Sequence, residues 1–271
     1  MALSDISLTA GMRNNLLALQ KTTAQVSITQ DRLSSGKKVN SALDNPTNFF
    51  AAQSANNRAS DLADRKDSMS EAVQTIKAAD NGISAITSLI NAAKGLASAA
   101  SSTADTLSQL TYESQFLQVT SQITTLASDA SYRGTNLLTA GTLSIEFAPK
   151  TGDSNLTVAG FAADAVSLGV TSAVGWDTTA NATQASANMD VALTTLRSNS
   201  STLASNLSVI TARQDFTNNM INTLQQGGDN LTLADMNQEG ANMLALQTRQ
   251  SLGTTALSLS SQAAQSVLKL F

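Results

Sequence analysis

Proline occurs only at Pro46 and Pro149 in the 271 residues, so two very long stretches lack the residue that most reliably stops a helix. Apolar spacing shows what fills them. Met12, Leu16, Leu19, Thr23, Val26, Gln30 and Leu33 follow alternating steps of four and three, a coiled-coil seam with two polar members. It predicts one helix from about Leu3 to Ser34. Beyond RLSSGKKVNSALDNP, where Gly36 and Pro46 are expected to break the chain, a second helical face is marked by Ala59, Leu62, Met69, Val73, Ile76, Ile83, Ile86 and Ile90. That helix is expected to run from near Asn56 to near Ala100. A third, with Leu107, Leu110, Phe116, Val119, Ile123, Leu126 and Ala130, is expected to fold back on it and to end at SYRGTNLL, where Arg133-Gly134 supplies a turn.

The pattern changes to period two at Leu143, Ile145 and Phe147 and again at Leu156 and Val158, which predicts one small β-hairpin. Helical spacing then returns in Met189, Leu193, Leu196, Leu203, Leu207, Ile210, Ile221 and Leu224, with Ser200, Gln214 and Thr217 in the remaining seam positions. This rod is expected to stop at Gly227-Gly228, and a last helix to run from Leu233 to Phe271. The fold class is therefore mainly α: a long antiparallel helical bundle formed by the N- and C-terminal segments, with a small β-hairpin region in the middle. Polar seam residues such as Thr23, Gln30 and Gln214 are candidates for fixing helix register.

The last helix carries two apolar seams. One contains Met236, Met243, Leu257, Ala264, Leu268 and Phe271; the other contains Ala245, Leu252, Ala256, Leu259, Ala263, Val267 and Leu270. No charge lies between Arg249 and Lys269. A helix apolar on two sides needs cover on two sides, and other copies of the chain are the obvious cover. The predicted assembly interface is Leu16, Leu19, Val26, Leu33, Met243, Leu252, Leu257, Leu259, Val267, Leu268, Leu270 and Phe271. Before assembly the two outermost helices are expected to be largely disordered.

Composition removes most chemistry. With neither Cys nor His there is no thiolate nucleophile, imidazole base, disulfide or Cys/His metal cluster. The four glutamates, Glu71, Glu113, Glu146 and Glu239, lie in separate segments, so no acid and base pair is apparent. No catalytic, cofactor or metal site is expected. The net charge of -4 and the absence of a basic stripe argue against nucleic acid. Ser, Thr, Asn and Gln interrupt every apolar run, so no membrane span is expected, and with Asp5 and Arg13 at the start no Sec signal is expected. SSGKK lacks the upstream Gly of a phosphate loop. The charged run at Asp61, Asp64, Arg65, Lys66 and Asp67 reads as a solvated face laced with pairs one turn apart.

Two terminal motifs point to a family. QDRLSSGKKVNSALDNPTNFFAAQ (Gln30 to Gln53) and the turn SYRGTNLL (Ser131 to Leu138), together with the segment Leu233 to Phe271, resemble bacterial flagellin over nearly the whole chain. The resemblance implies a subunit that polymerises into the flagellar filament after type III export, with extracellular localisation and no enzymatic activity. It implies an inner domain, D0, from 1–44 and 230–271, an outer domain, D1, from 45–140 and 181–229, and a reduced β-rich region over 141–180. The implied partners are further copies in a homopolymer, or other flagellins in a mixed filament, an export chaperone at the C-terminal helix, and hook-associated proteins. In some flagellins a basic stretch is read by an innate immune receptor; here the corresponding positions are Ala92 and Gly95, so weak recognition is expected. Some flagellins carry O-linked sugars, and Thr142, Thr151, Ser154, Thr157 and Ser172 lie where they would face outwards. The alternatives are a hook-filament junction protein and a secreted helical interaction module. A zinc peptidase within the middle region, found in some flagellins, needs histidines this chain does not have.

Overall fold

The computed structural model describes residues 10–148, 154–171 and 175–268. Its elements in chain order are α1 (Ala10–Ser35), α2 (Pro46–Ser101), α3 (Thr106–Asp129), β1 (Thr142–Glu146), β2 (Asn155–Ala159), α4 (Thr179–Thr232) and α5 (Met236–Leu268). The strands form one antiparallel pair with Leu143 opposite Val158 and Ile145 opposite Leu156. The fold is thus mainly helical, with one hairpin among the described residues. At a rise of about 1.5 Å per residue, α2 and α4 each extend roughly 80 Å.

Helix boundaries differ from the sequence expectation in two places, each for a local reason. Pro46 does not break α2 but opens it: Pro lacks the N–H that the first turn leaves orphaned anyway, and Asn45 caps that turn by accepting from the Asn48 N–H at 3.0 Å. Gly227-Gly228 does not stop α4, which continues to Thr232. A Cβ at position 228 would lie 3.1 Å from Asn56 Oδ1 and 3.6 Å from the Ala52 carbonyl oxygen, so this glycine serves close approach of α4 to the start of α2. Asp105 caps α3 through the Ser108 N–H, and Asp235 caps α5 through the N–H groups of Asn237 and Gln238.

The chain divides into two compact units, Met1–Asn57 with Leu224–Phe271, and Arg58–Thr223. In the second, α2 and α4 run antiparallel. Gln214 donates to Ser70 Oγ at 3.0 Å, Ser200 donates to Asp80 Oδ1 at 3.0 Å, and Lys94 pairs with Asp190. Along α2 the buried residues Ile76, Ala79, Ile83, Ile86, Ile90, Ala93 and Ala97 keep the heptad spacing, isoleucines interleaved with alanines that let the neighbouring helices approach. They meet Phe116 and Ile123 of α3 and Met189, Leu196, Leu203 and Ile210 of α4 in one apolar cluster.

The segment after α3 is held by side chains that the sequence pattern only partly announced. Arg133 (φ 47°) and Gly134 (φ 83°) form the tight turn, with Tyr132 and Thr135 exchanging both backbone bonds. Asn136 donates to the carbonyls of Ala127 and Ser128 and accepts from the Leu138 N–H. It thereby satisfies the end of α3 and directs Leu137 and Leu138 into the core, where each is almost fully buried. Trp176 is buried against Phe116, ring centroids 4.7 Å apart, and its backbone N–H donates to Glu113 at 3.0 Å.

All four glutamates make anchoring contacts. Besides Glu113, Glu146 of β1 pairs with Arg65 of α2, Glu71 with Arg133, and Glu239 with Arg32. Within the charged run at residues 61–67, Arg65 reaches across to the hairpin. Arg213 of α4 also lies over the Phe147 ring at 5.1 Å, so the hairpin is gripped from both long helices.

Candidate assembly surface

The first unit is built on an antiparallel pair, α1 against α5. Arg32 Nη1 meets Glu239 Oε1 at 3.0 Å, and Leu19 Cδ1 would lie 3.3 Å from a Cβ at Gly253; the two contacts advance along the helices in opposite directions. The connecting strands cross beside this pair. Thr232 accepts from the N–H groups of Lys38 and Val39, Gly36 accepts from Ala234, and Lys38 Nζ donates to the Asn230 carbonyl.

The face α1 turns to its partner is not quite the one its leucines advertise. Met12 is buried and Leu19, Val26 and Leu33 are half-buried, as the seam requires, but the positions between them are Asn15, Thr22 and Thr29. Leu16, Thr23 and Gln30 are exposed, so they lie outside the seam that α1 and α5 form within one chain. The physical reason is size. Threonine satisfies its hydroxyl on its own helix, Thr22 Oγ1 on the Ala18 carbonyl at 2.9 Å, and then presents a small methyl surface to a partner that contributes Gly253 to the contact.

On α5 the two seams separate. Met243, Leu246, Gly253 and Leu257 are partly covered, whereas Met236, Ala245, Leu252, Ala256, Leu259 and Ala263 are exposed. Leu252 and Leu259 remain 66% and 62% accessible. Leu17 and Ile28 on the outer face of α1 are about half accessible, at 55% and 51%. The side chains of Val267 and Leu268, and Leu270 and Phe271 altogether, lie outside the described residues. The charge-free leucine stripe of α5, with Leu17 and Ile28 of α1, is an association surface by composition in a chain otherwise coated with Ser, Thr, Asn and Gln.

Glu239 is the one buried carboxylate among the described residues of this unit, 8% accessible. Oε1 takes the Arg32 bond, and Oε2 has no hydrogen-bond partner among the described residues. Arg32 also lies near Asp44, whose carboxyl is held below its ordinary value by the Ser41 and Asn40 N–H groups, with Arg32 a smaller contribution.

Of the hydroxyls considered for O-linked sugar, Thr142 and Thr157 are exposed on the hairpin and Ser154 is half-buried; Thr151 and Ser172 lie outside the described residues. Among the described residues no group of three or more acidic side chains could hold a metal ion, and no helix is long and apolar enough to cross a membrane.

Comparison with known proteins finds relatives along the whole chain. The profile of the bacterial flagellin N-terminal helical region matches residues 6–142. Flagellin FljM of Caulobacter vibrioides is 31% identical, the alignment spanning the whole of both chains. The flagellin of Brucella melitensis is 26% identical over 94% of this chain and 95% of its own. A crystal structure of Bacillus cereus flagellin aligns over 54% of this chain and 86% of its own, at 18% identity and a TM-score of 0.46.

Proposed function

The chain belongs to the bacterial flagellin family, and we propose that it enters its filament through the outward stripe of α5 together with the outer face of α1. It is a structural subunit of the flagellar filament. Relatives that align from end to end are flagellins, which does not favour the junction-protein alternative. Family members of this kind act as structural proteins, and the work of the subunit is mechanical.

The observation that carries the proposal is the uncovered second seam of α5. Leu252 and Leu259 sit two turns apart on a helix whose other seam is already against α1. Further copies of the chain, or other flagellins, would cover this stripe in the filament. In that arrangement the α1/α5 pair supplies the inner domain, the rest of α2, α3 and α4 the outer one, and the hairpin the small projection from it. The same stripe would need a chaperone before export and would meet hook-associated proteins at the filament base. Thr142 and Thr157 offer outward hydroxyls for O-linked sugar; a filament-derived intact mass equal to the bare chain would remove that part of the reading.

The test is assembly of the Leu252→Ser and Leu259→Ser variants. Burying one leucine is worth about 2 kcal/mol, and about 1.4 kcal/mol is tenfold in an equilibrium constant. Each substitution should therefore raise the critical concentration for seeded elongation about 30-fold while leaving the melting of the second unit unchanged. An unaltered critical concentration would mean that the stripe faces solvent in the filament too.

A further inference from the structure

We propose that Arg32 and Glu239 form the element that fixes the register of the α1/α5 pair, Arg32 acting as a positioning residue for the assembly surface; this rests on the filament reading above. Nothing else in the pair specifies register strongly. The seam of α1 repeats every seven residues through Met12, Leu19, Val26 and Leu33, so a slide by one heptad again sets apolar against apolar. The backbone bonds between the crossing strands, Lys38 and Val39 to Thr232 and Ala234 to Gly36, use groups that every residue carries. Among the described residues, Arg32–Glu239 is the one ion pair between α1 and α5.

Its geometry makes a slide costly. Glu239 is buried and Arg32 Nη1 at 3.0 Å is its ion-pair partner, while Oε2 has no hydrogen bond among the described residues. Sliding α5 one heptad towards the start of α1 would put Glu239 opposite Gln25, leaving a buried carboxylate without its guanidinium, which is strongly unfavourable. The opposite slide would carry it past the end of α1 at Ser35. A heptad step is about 10 Å along the helix, enough to displace Leu252 and Leu259 from the outer α1 face. A slipped subunit would present two half-surfaces that no longer match its neighbours.

The absence of cysteine permits a direct reading. Gly253→Cys paired with Leu19→Cys reports the native register, and Gly253→Cys paired with Met12→Cys reports the slipped one, each bridged by a short bis-thiol reagent in the full chain. Both are measured in unassembled protein and in filaments grown from seeds. With Arg32 and Glu239 present, the 19–253 bridge should exceed the 12–253 bridge at least tenfold. In the Arg32→Met/Glu239→Met double variant, which keeps the pair apolar and foldable, the ratio should fall to within about threefold of unity. Restoring charge as Arg32→Lys with native Glu239 should recover most of the preference. An unchanged ratio in the double variant would overturn the proposal, as would failure of both bridges in native chain. Because the bridges are intramolecular, a chain that keeps its register but does not elongate seeds would instead count against the filament interface.

Discussion

Replacing Phe116 with Ala removes a ring that is fully buried between α3 and the segment carrying Trp176, whose own ring lies 4.7 Å away at an interplanar angle of 48°. Deleting a buried Phe costs about 3–5 kcal/mol through lost transfer energy and the cavity left behind, and roughly 0.5–1.5 kcal/mol of that is the ring pair itself. The second unit runs from Arg58 to Thr223. In domains of that size each kcal/mol moves Tm by about 2–4 °C, so a loss near 4 kcal/mol lowers Tm by about 8–16 °C. Trp176 is the only tryptophan, so its fluorescence reports this contact without labelling. The parent should emit as a buried indole and shift red on melting; the variant should melt earlier, with an emission already displaced. A Tm within about 2 °C of the parent would refute the reasoning, since it would mean the Phe116 site is not a packed core.

Three further outcomes follow from neighbouring contacts. Gly160→Ala places a Cβ 2.3 Å from the Leu137 carbonyl oxygen and 2.4 Å from that of Gly141; with backbone on both sides the hairpin base must shift, and thermal melting should show a loss of at least about 2 kcal/mol. Asn136→Ala leaves the Ala127 and Ser128 carbonyls without their shared donor and the Leu138 N–H without its acceptor, costing about 1–3 kcal/mol by denaturant titration. Glu71 has its carboxyl pKa lowered by hydrogen bonds from Arg133 and then Tyr132. Its contribution is therefore complete above the ordinary glutamate value of 4.5 and is lost as pH falls through the lowered folded value. A Glu71→Gln variant should show a shallower decline of Tm on acidification than the parent; parallel declines would contradict the assignment.

The helices and the hairpin were legible because each is written in a period. Residues 69–97 of α2 and 189–210 of α4 place large apolar groups at heptad spacing, and residues 143–147 alternate. What escaped the pattern depended on single side chains. Pro46 reads as a breaker until Asn45 is seen to cap the turn it opens, and Gly227-Gly228 reads as a stop until Asn56 is seen against Gly228. On α1 the seam the chain itself buries runs through Thr22 and Thr29 rather than Thr23 and Gln30, because a partner offering Gly253 accepts small polar residues in the gaps. On α5 the presence of two seams was visible from sequence alone, but which of them the chain covers itself was not: both have the same period, and only the placement of α1 distinguishes them. The ion pairs of the glutamates were not legible because their arginine partners lie far away in sequence, Glu239 from Arg32 and Glu146 from Arg65.

The central claim is that α1 and α5 complete their burial in the filament. Amide hydrogen exchange on the purified chain, before and after seeded elongation verified by electron microscopy, addresses it directly. The account predicts that amides in residues 69–100 and 189–210 are already protected in the free chain, and that those in residues 10–35 and 236–268 gain strong protection as filaments lengthen. Filaments that grow without any gain in those two segments, or free chain in which α5 is as protected as the α2 core, would contradict it.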